Sequence, residues 1–340
     1  MQKVRFAVVG CGGFGEHLSK VLNKLPEAHI VATCDLDEQR ARELGQVFDA
    51  AIYTETSRLY REAEFEAVLV VTQNDKHCEN TVEAVEAGKH VFCEKPMARN
   101  LAECVRMAQA ARKQGVCLMV GHKRRLRPTH LYMSELIARG RLGNPTAILV
   151  DAVWGQEQIG GWWAHASRSG GMLSWNGVHD LDFMRCICGD VARVRALQSL
   201  KTHKQHDYPD MVFVEMQFAS GAIGSFRGAF YFPLVSERES SSVRIVCERG
   251  GIAYEGAQIS VRYSDHGGEL ETKEFPEYGF ESAYRMELSS FIRWITNNES
   301  PVVSWEDGLK CVEIMEAAYL SLNTGNWVDL PLPERAEFGC

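Results

Sequence analysis

The hexapeptide GCGGFG at positions 10–15, set between an apolar run and a helical pattern, constrains this chain more than any other stretch. Val4 to Val9 read as a short buried strand, and a helical pattern follows from about Glu16. Gly10, Gly12 and Gly15 fit G-x-G-x-x-G: the first permits a tight turn, the second lets backbone approach a pyrophosphate, and the third allows close helix packing. Gly13 and Phe14 belong to the same turn, whose helix N-terminus offers its amides to negative charge. Asp35 stands about twenty residues on, at the end of the next apolar run, where a carboxylate accepts both hydroxyls of an adenosine ribose and repels a 2′-phosphate. NAD is therefore favoured as cofactor; Arg40, a short way downstream and within reach of a phosphate, keeps NADP open.

Further apolar runs are His29 to Cys34, Ala67 to Val71, His90 to Cys93 and Val116 to Val120, separated by helical patterns such as Asn80 to Ala87 and Leu101 to Lys113. The alternation predicts an α/β fold, a Rossmann-type doubly wound parallel sheet over residues 1–122. A chain of 340 residues exceeds what one core usually sustains, so a second domain is expected. Over residues 123–340 the rhythm changes to a helix from Thr129 to Arg139 and then long strand-like stretches. These are Thr146 to Trp154, Val191 to Leu200, Met211 to Phe218, Ala222 to Phe232, Ser242 to Cys247 and Gln258 to Tyr263. Turn signals at Ser220-Gly221 and Arg249-Gly250-Gly251 predict hairpins in a mainly antiparallel open sheet. Two more helices are expected, one after Gly170-Gly171 and one from Glu306 to Leu322, which makes the second domain α+β.

Composition narrows the function. A net charge of −8 argues against a broad nucleic-acid-binding face, and no stretch is apolar for long enough to span a bilayer. The basic run Lys123, Arg124, Arg125, Arg127 reads either as a solvated face or as a contact for an anionic ligand. Eleven cysteines without paired spacing read as reduced thiols. With no leader pattern at the N-terminus, they point to the cytoplasm. No histidine spacing joined to cysteine or carboxylate partners points to a metal, so none is expected.

Two residues stand out chemically. Glu94-Lys95-Pro96 ends an apolar run, and open α/β sheets place ligands at the carboxyl ends of strands. There Lys95 would share a proton with a substrate oxygen, although by position alone a surface lysine at a strand end is the better reading. In GGMLSWNGVHDLDFM, helical spacing gathers Trp175, Asn176, His179 and Asp182 on one face. A histidine side chain ordinarily titrates near neutrality, so His179 suits proton exchange with an alcohol or carbonyl, or is a satisfied structural histidine.

GCGGFG, Asp35, TQNDKH, AGKHVFCEKPMARN, GHKRRLRP, GGMLSWNGVHDLD and NTGNWVDLP, in this order, resemble the Gfo/Idh/MocA oxidoreductase family over nearly the whole chain. The resemblance implies that Lys95 is the catalytic lysine and His179 the acid/base. It implies that Thr72, Asn74, His77 and Glu94 line the dinucleotide, and that Lys123, Arg124, Trp163 and Asn176 contact substrate. It also implies a small-molecule polyol or sugar substrate, and a homodimer or homotetramer formed through the C-terminal sheets. One departure is Trp175, which stands where inositol dehydrogenases of the family carry an aspartate; Asn176, Asp180 or Asp182 would substitute for it. Alternatively Trp175 offers an aromatic wall to a substrate. The expected activity is reversible oxidation of a secondary alcohol on a sugar, sugar derivative or cyclitol. The alternatives are an NAD-dependent glycoside hydrolase with transient oxidation and a non-catalytic NAD-binding regulator.

Overall fold

The computed structural model describes residues 3–154, 160–230, 240–256, 258–264, 270–275 and 279–339. They group into two units, Met1–Lys123 with Glu281–Val312, and Arg124–Phe280 with Glu313–Gly339.

In the first unit, short runs bounded by turns become strands, most of them buried on both faces as parallel sheets require, while the edge strand β3 is largely exposed. They are β1 (Val4–Val9), β2 (Ala28–Cys34), β3 (Ala51–Tyr53), β4 (Ala67–Val70), β5 (His90–Glu94) and β6 (Leu118–Gly121). Their order is β3-β2-β1-β4-β5-β6, with the reversal between β1 and β4 that marks the dinucleotide crevice of such sheets. The helices are α1 (Gly13–Asn23), α2 (Glu38–Phe48), α3 (Thr56–Glu62), α4 (His77–Glu86) and α5 (Leu101–Gln114). Local chemistry sets their ends: Asp37 caps α2 by accepting from the Gln39 and Arg40 amides, and Asn100 caps α5 by accepting from that of Glu103. Strand β6 starts later than the apolar run at Val116 suggests, because Gly115, at φ +65°, and Val116 still close the end of α5 through bonds to its last carbonyls.

The second unit carries α6 (Pro128–Ala138), β7 (Pro145–Trp154), α7 (Ala166–Ser169), α8 (Val178–Cys188), β8 (Val191–Gln198), β9 (Met211–Phe218) and β10 (Ile223–Phe230). Then follow β11 (Ser240–Cys247), β12 (Gly250–Glu255), β13 (Gln258–Tyr263) and β14 (Leu270–Glu274). With β15 (Val328–Asp329) they form a nine-stranded sheet, β14-β13-β12-β11-β7-β10-β9-β8-β15, in which the β7–β10 pair is parallel and the other pairs antiparallel. Helix α8 packs on β7 and β10, and the opposite face of the sheet is more exposed, with Arg227 and Ile223 of β10 and Leu197 of β8 on it. The last two residues of the Ala222–Phe232 run lie outside the described residues.

Two expectations need correction. Gly250 and Gly251 do not form a turn: they open β12, and the turn is Glu248-Arg249 before them. Gly250 sits at φ +148°, and a Cβ there would lie 2.0 Å from the Arg262 carbonyl oxygen, so close strand approach explains the glycine. The second correction is α9 (Phe280–Asn297), an additional helix whose Tyr284, Leu288, Phe291 and Ile292 recur at helical spacing and join the first unit's core. Phe291 meets Phe6 and Phe92 at ring-centroid distances of 6.2 and 5.9 Å. The chain finishes with α10 (Trp305–Thr324), β15 and α11 (Pro333–Phe338).

Candidate active site

Each unit builds one set of candidate groups. In the first unit, Gly10 takes φ +97°, and a Cβ there would lie 2.5 Å from the Val71 oxygen. A Cβ on Gly15 would lie 2.0 Å from the Gly10 oxygen. Gly12, by contrast, has nothing within 4 Å of where its Cβ would stand, so the backbone is open to a ligand just where α1 begins. No side chain caps that helix, which leaves its first amides to an anion. Asp35 is tied to this turn: its Oδ2 accepts from the Cys11 amide at 2.7 Å, and its Oδ1 from the Asp37 amide at 2.9 Å. The neighbouring Cys11 is buried beside this carboxylate, and burial first, then the Asp35 charge, pushes its thiol up to about 12. Arg40 is exposed and pairs with Asp37 at 3.4 Å. An open Gly12, uncapped amides and a carboxylate at the end of β2 fit a dinucleotide.

At the end of β5, Glu94 and Gly121 face each other in register, and the Glu94 Oε1 lies 2.8 Å from where a Gly121 Cβ would stand. Glycine at 121 therefore makes room for this carboxylate, a role that sequence reading missed. Burial pushes the Glu94 carboxyl above the usual range, opposed by the positive charges of Lys123 and Lys95. Lys95 is half-buried and precedes a cis peptide bond to Pro96. The Pro96 carbonyl accepts from the buried His77, Nδ1 to O 2.8 Å, and the other His77 nitrogen lies 3.1 Å from the Thr72 carbonyl. His77 thus joins the β4 and β5 ends, and burial holds its pKa below the usual value. Asn74, buried in a short turn, and Thr72, which accepts from Asn80 Nδ2 at 3.3 Å, belong to the same β4 terminus. Lys123 hydrogen-bonds the Tyr284 hydroxyl, and its ammonium lies 4.4 Å from the Tyr284 ring centroid and 5.3 Å from that of Phe14. Tyr284 was not found from the sequence, although the periodicity of α9 was there to be read.

In the second unit, the expected single helical face divides. Leu173–Gly177 forms a π-helical turn before α8, so the regular helical spacing that would gather these residues does not hold across Trp175 and Asn176. Trp175 and Asn176 are half-buried, whereas His179, Asp180 and Asp182 are buried. The basic run is not simply a solvated face. Arg124 is 2% exposed, with Nη1 bonded to Asp180 Oδ1 at 2.5 Å, and Arg125 pairs with both oxygens of Asp182. Arg127 lies over the Phe280 ring at 3.9 Å. Two helix carboxylates thus anchor two of the four cations on either side of Leu181. Trp163 stacks on Trp162 at 4.0 Å and meets Trp175 edge-on at 4.2 Å, and Trp175 meets Phe230 at 6.2 Å. The aromatic wall suggested by Trp175 is therefore built from several rings. Tyr319 of α10 fixes the Gly170-Gly171 bend before it, donating to the Gly170 carbonyl at 3.0 Å and accepting from the Leu173 amide at 3.1 Å.

The ten described cysteines are free thiols. Among the described residues, no helix is long and apolar enough to cross a membrane.

Comparison with known proteins agrees with this architecture. Residues 4–122 match the profile of the oxidoreductase family with an NAD-binding Rossmann fold, and residues 134–330 that of the same family's C-terminal alpha/beta domain. The chain is similar to 2,7-anhydro-N-acetylneuraminate hydratase of Mediterraneibacter gnavus, 29% identical over 74% of this chain and 70% of the relative. It is also similar to myo-inositol 2-dehydrogenase of Thermotoga maritima, 27% identical over 96% of this chain and 98% of the relative. A levoglucosan dehydrogenase solved with NADH shares the fold, with a TM-score of 0.90 at 20% identity over 97% of this chain and all (100%) of the other.

Proposed function

The chain belongs to the Gfo/Idh/MocA oxidoreductase family, and from that premise we propose that it reversibly oxidises a secondary alcohol on a sugar, sugar derivative or cyclitol with NAD. The observation that carries this reading is the end of β5, where the buried Glu94 carboxylate stands in the field of Lys95 and Lys123, on the same sheet as the open glycine turn. Such a site presents cationic donors to an oxygen that gains negative character as its proton leaves, before hydride transfer turns it into a carbonyl.

Bound through Gly10, Gly12, Gly13, Phe14 and Gly15, with Asp35 on the ribose hydroxyls, NAD supplies a two-electron hydride acceptor. Thr72, Asn74, His77 and Glu94 line its path along the strand ends. Asp35 selects NAD; Arg40, drawn to Asp37, leaves the 2′-phosphate of NADP without a committed partner. Lys95 donates a hydrogen bond to the reacting oxygen, and Glu94 orients the ammonium. His179 takes the hydroxyl proton in oxidation and returns it in reduction. Arg124 acts at the substrate site through Asp180, by holding the turn of α8 that carries His179. Lys123 and Asn176 bind substrate hydroxyls, while Trp163 and Trp175 cover the apolar C–H face of the ring. The names of the inositol and levoglucosan enzymes support this substrate class.

The more exposed face of the nine-stranded sheet, with Leu197 61%, Ile223 57% and Val246 46% exposed, supports assembly into a dimer or tetramer of this chain. The eleven thiols, ten of them described and free, suit action in the reducing cytosol.

The test is NADH formation from NAD with a panel of cyclitols, aldoses and anhydrosugars, repeated with Lys95→Met and His179→Ala. Substrate-dependent NADH that each substitution lowers by about a hundredfold or more supports the reading. Equal rates in wild type and both variants would remove these residues from the mechanism.

A further inference from the structure

The connection between β8 and β9 gathers three side chains that have no part in the reaction above. His203 Nδ1 and His206 Nε2 each lie 3.2 Å from one and the same atom, Asp210 Oδ1. His206 and Asp210 are only 3% and 7% exposed. The other nitrogen of His206, Nδ1, lies 2.8 Å from the Tyr208 carbonyl, which can only accept, so Nδ1 carries the proton. In the neutral ring Nε2 is then a bare lone pair directed toward a carboxylate oxygen. His206 Nε2 is buried and without a hydrogen-bond partner, and the Asp210 oxygen that it faces has only the ring of His203, 3.2 Å away, as a neighbouring donor. Two buried acceptors in opposition are costly, and a positive charge between them removes the cost.

We propose that His203 Nδ1, His206 Nε2 and Asp210 Oδ1 bind one divalent transition-metal ion of the zinc class. The distances suit it: bonds of about 2.0–2.1 Å in a tetrahedral site set neighbouring donor atoms ~3.3 Å apart. All three donor atoms lie within 4.8 Å of one another. The surroundings are also those of a metal site, in which a ligating histidine donates its second N–H and a ligating carboxylate is itself held by hydrogen bonds. His206 Nδ1–H donates to the Tyr208 carbonyl. Asp210 Oδ2 accepts from the Thr202 amide at 2.6 Å, the Thr202 hydroxyl at 2.7 Å and the His203 amide at 3.3 Å.

The position of the site assigns the ion a structural task. Within the same unit the loop is tied to the segment that carries Trp163: the Tyr208 hydroxyl donates to the Trp163 carbonyl at 2.9 Å. The Asp207 amide donates to the Ala164 carbonyl at 3.0 Å, and Asp207 Oδ1 accepts from the Ala166 amide at 2.7 Å. An ion that closes residues 203–210 therefore braces Trp163, and through it the edge-on contact with Trp175.

The experiment is titration of chelator-treated full-length protein with Co²⁺, read by visible absorption and followed by displacement with Zn²⁺, on wild type, His203→Ala, His206→Gln and Asp210→Asn. We expect one equivalent per chain in wild type, at least a tenfold loss of affinity in each variant, and a zinc-dependent rise in Tm only in wild type. His203 is partly exposed, so its alanine variant is the one expected to fold normally, as circular dichroism will check. A folded His203→Ala that binds as tightly as wild type would overturn the proposal. So would a ¹⁵N spectrum with both His206 nitrogens protonated at neutral pH in the presence of zinc.

Discussion

Arg124 and Asp180 meet at 2.5 Å with side chains 2% and 3% exposed, one residue from His179 in sequence. A buried pair of this kind is weak evidence for net stability, but removing one partner leaves the other charge buried without its counterion. Asp180→Asn should therefore destabilise the protein by about 3–5 kcal/mol in urea denaturation. The double variant Arg124→Met/Asp180→Leu should recover most of that loss. Its turnover should stay low, because the turn of α8 that carries His179 loses its anchor. Recovery of stability and turnover together would show that the pair has no positioning role.

The glycine turn separates fold from ligand binding. A methyl at Gly15 meets the Gly10 carbonyl, whereas one at Gly12 meets nothing within 4 Å. Gly15→Ala should lower Tm by several degrees, since about 1 kcal/mol moves a domain by 2–8 °C. Gly12→Ala should leave Tm unchanged and weaken NADH binding, measured by fluorescence titration, by at least tenfold.

Tyr319 makes two hydrogen bonds to the bend at Gly170-Gly171. Tyr319→Phe leaves a part-buried amide and a half-buried carbonyl without these partners, at a cost of about 0.5–1.5 kcal/mol for each hydrogen bond. Because this bend leads into the turn bearing Trp175, KM for the alcohol should rise while NADH affinity stays constant. Steady-state kinetics beside cofactor titration checks both.

His130 is buried against Phe183, ring centroids 4.4 Å apart. Burial, reinforced by the charges of Arg127 and Arg124, holds its pKa well below the usual 6.5. As pH falls through about 6.5 the unfolded chain takes up a proton at this ring and the folded chain does not. The unfolded state then binds more protons, so stability is lost on acidification, by at most about 1.4 kcal/mol per pH unit. Denaturation series between pH 7 and 5 should show this slope in wild type and a shallower one in His130→Phe.

What the sequence discloses here is whatever depends on short spacing. GCGGFG, Asp35 and the Glu94-Lys95-Pro96 strand end are local patterns, and the structure places them at one sheet's carboxyl edge. Asp180 and Asp182 were visible as carboxylates, but their pairing with Arg124 and Arg125 spans 56 and 57 residues and no local rule encodes it. The π turn at Leu173–Gly177 likewise defeats a helical wheel, since regular helical spacing does not hold across it. Gly121 reads as a strand-end glycine until the Glu94 carboxylate is seen above it. Helix α9 was legible in the period of Tyr284, Leu288, Phe291 and Ile292, yet its return to the first unit was not.

The central claim is net oxidation of an alcohol by NAD, and the stoichiometry of NADH to oxidised product in a single turnover tests it most directly. The account predicts one NADH for each ketone formed from a secondary alcohol, with a deuterium at the carbinol carbon carried wholly into the NADH. Product that forms with only catalytic NAD, with no net NADH and with the deuterium returned to it, would contradict the account and mark a hydrolase or hydratase that oxidises its substrate only in passing.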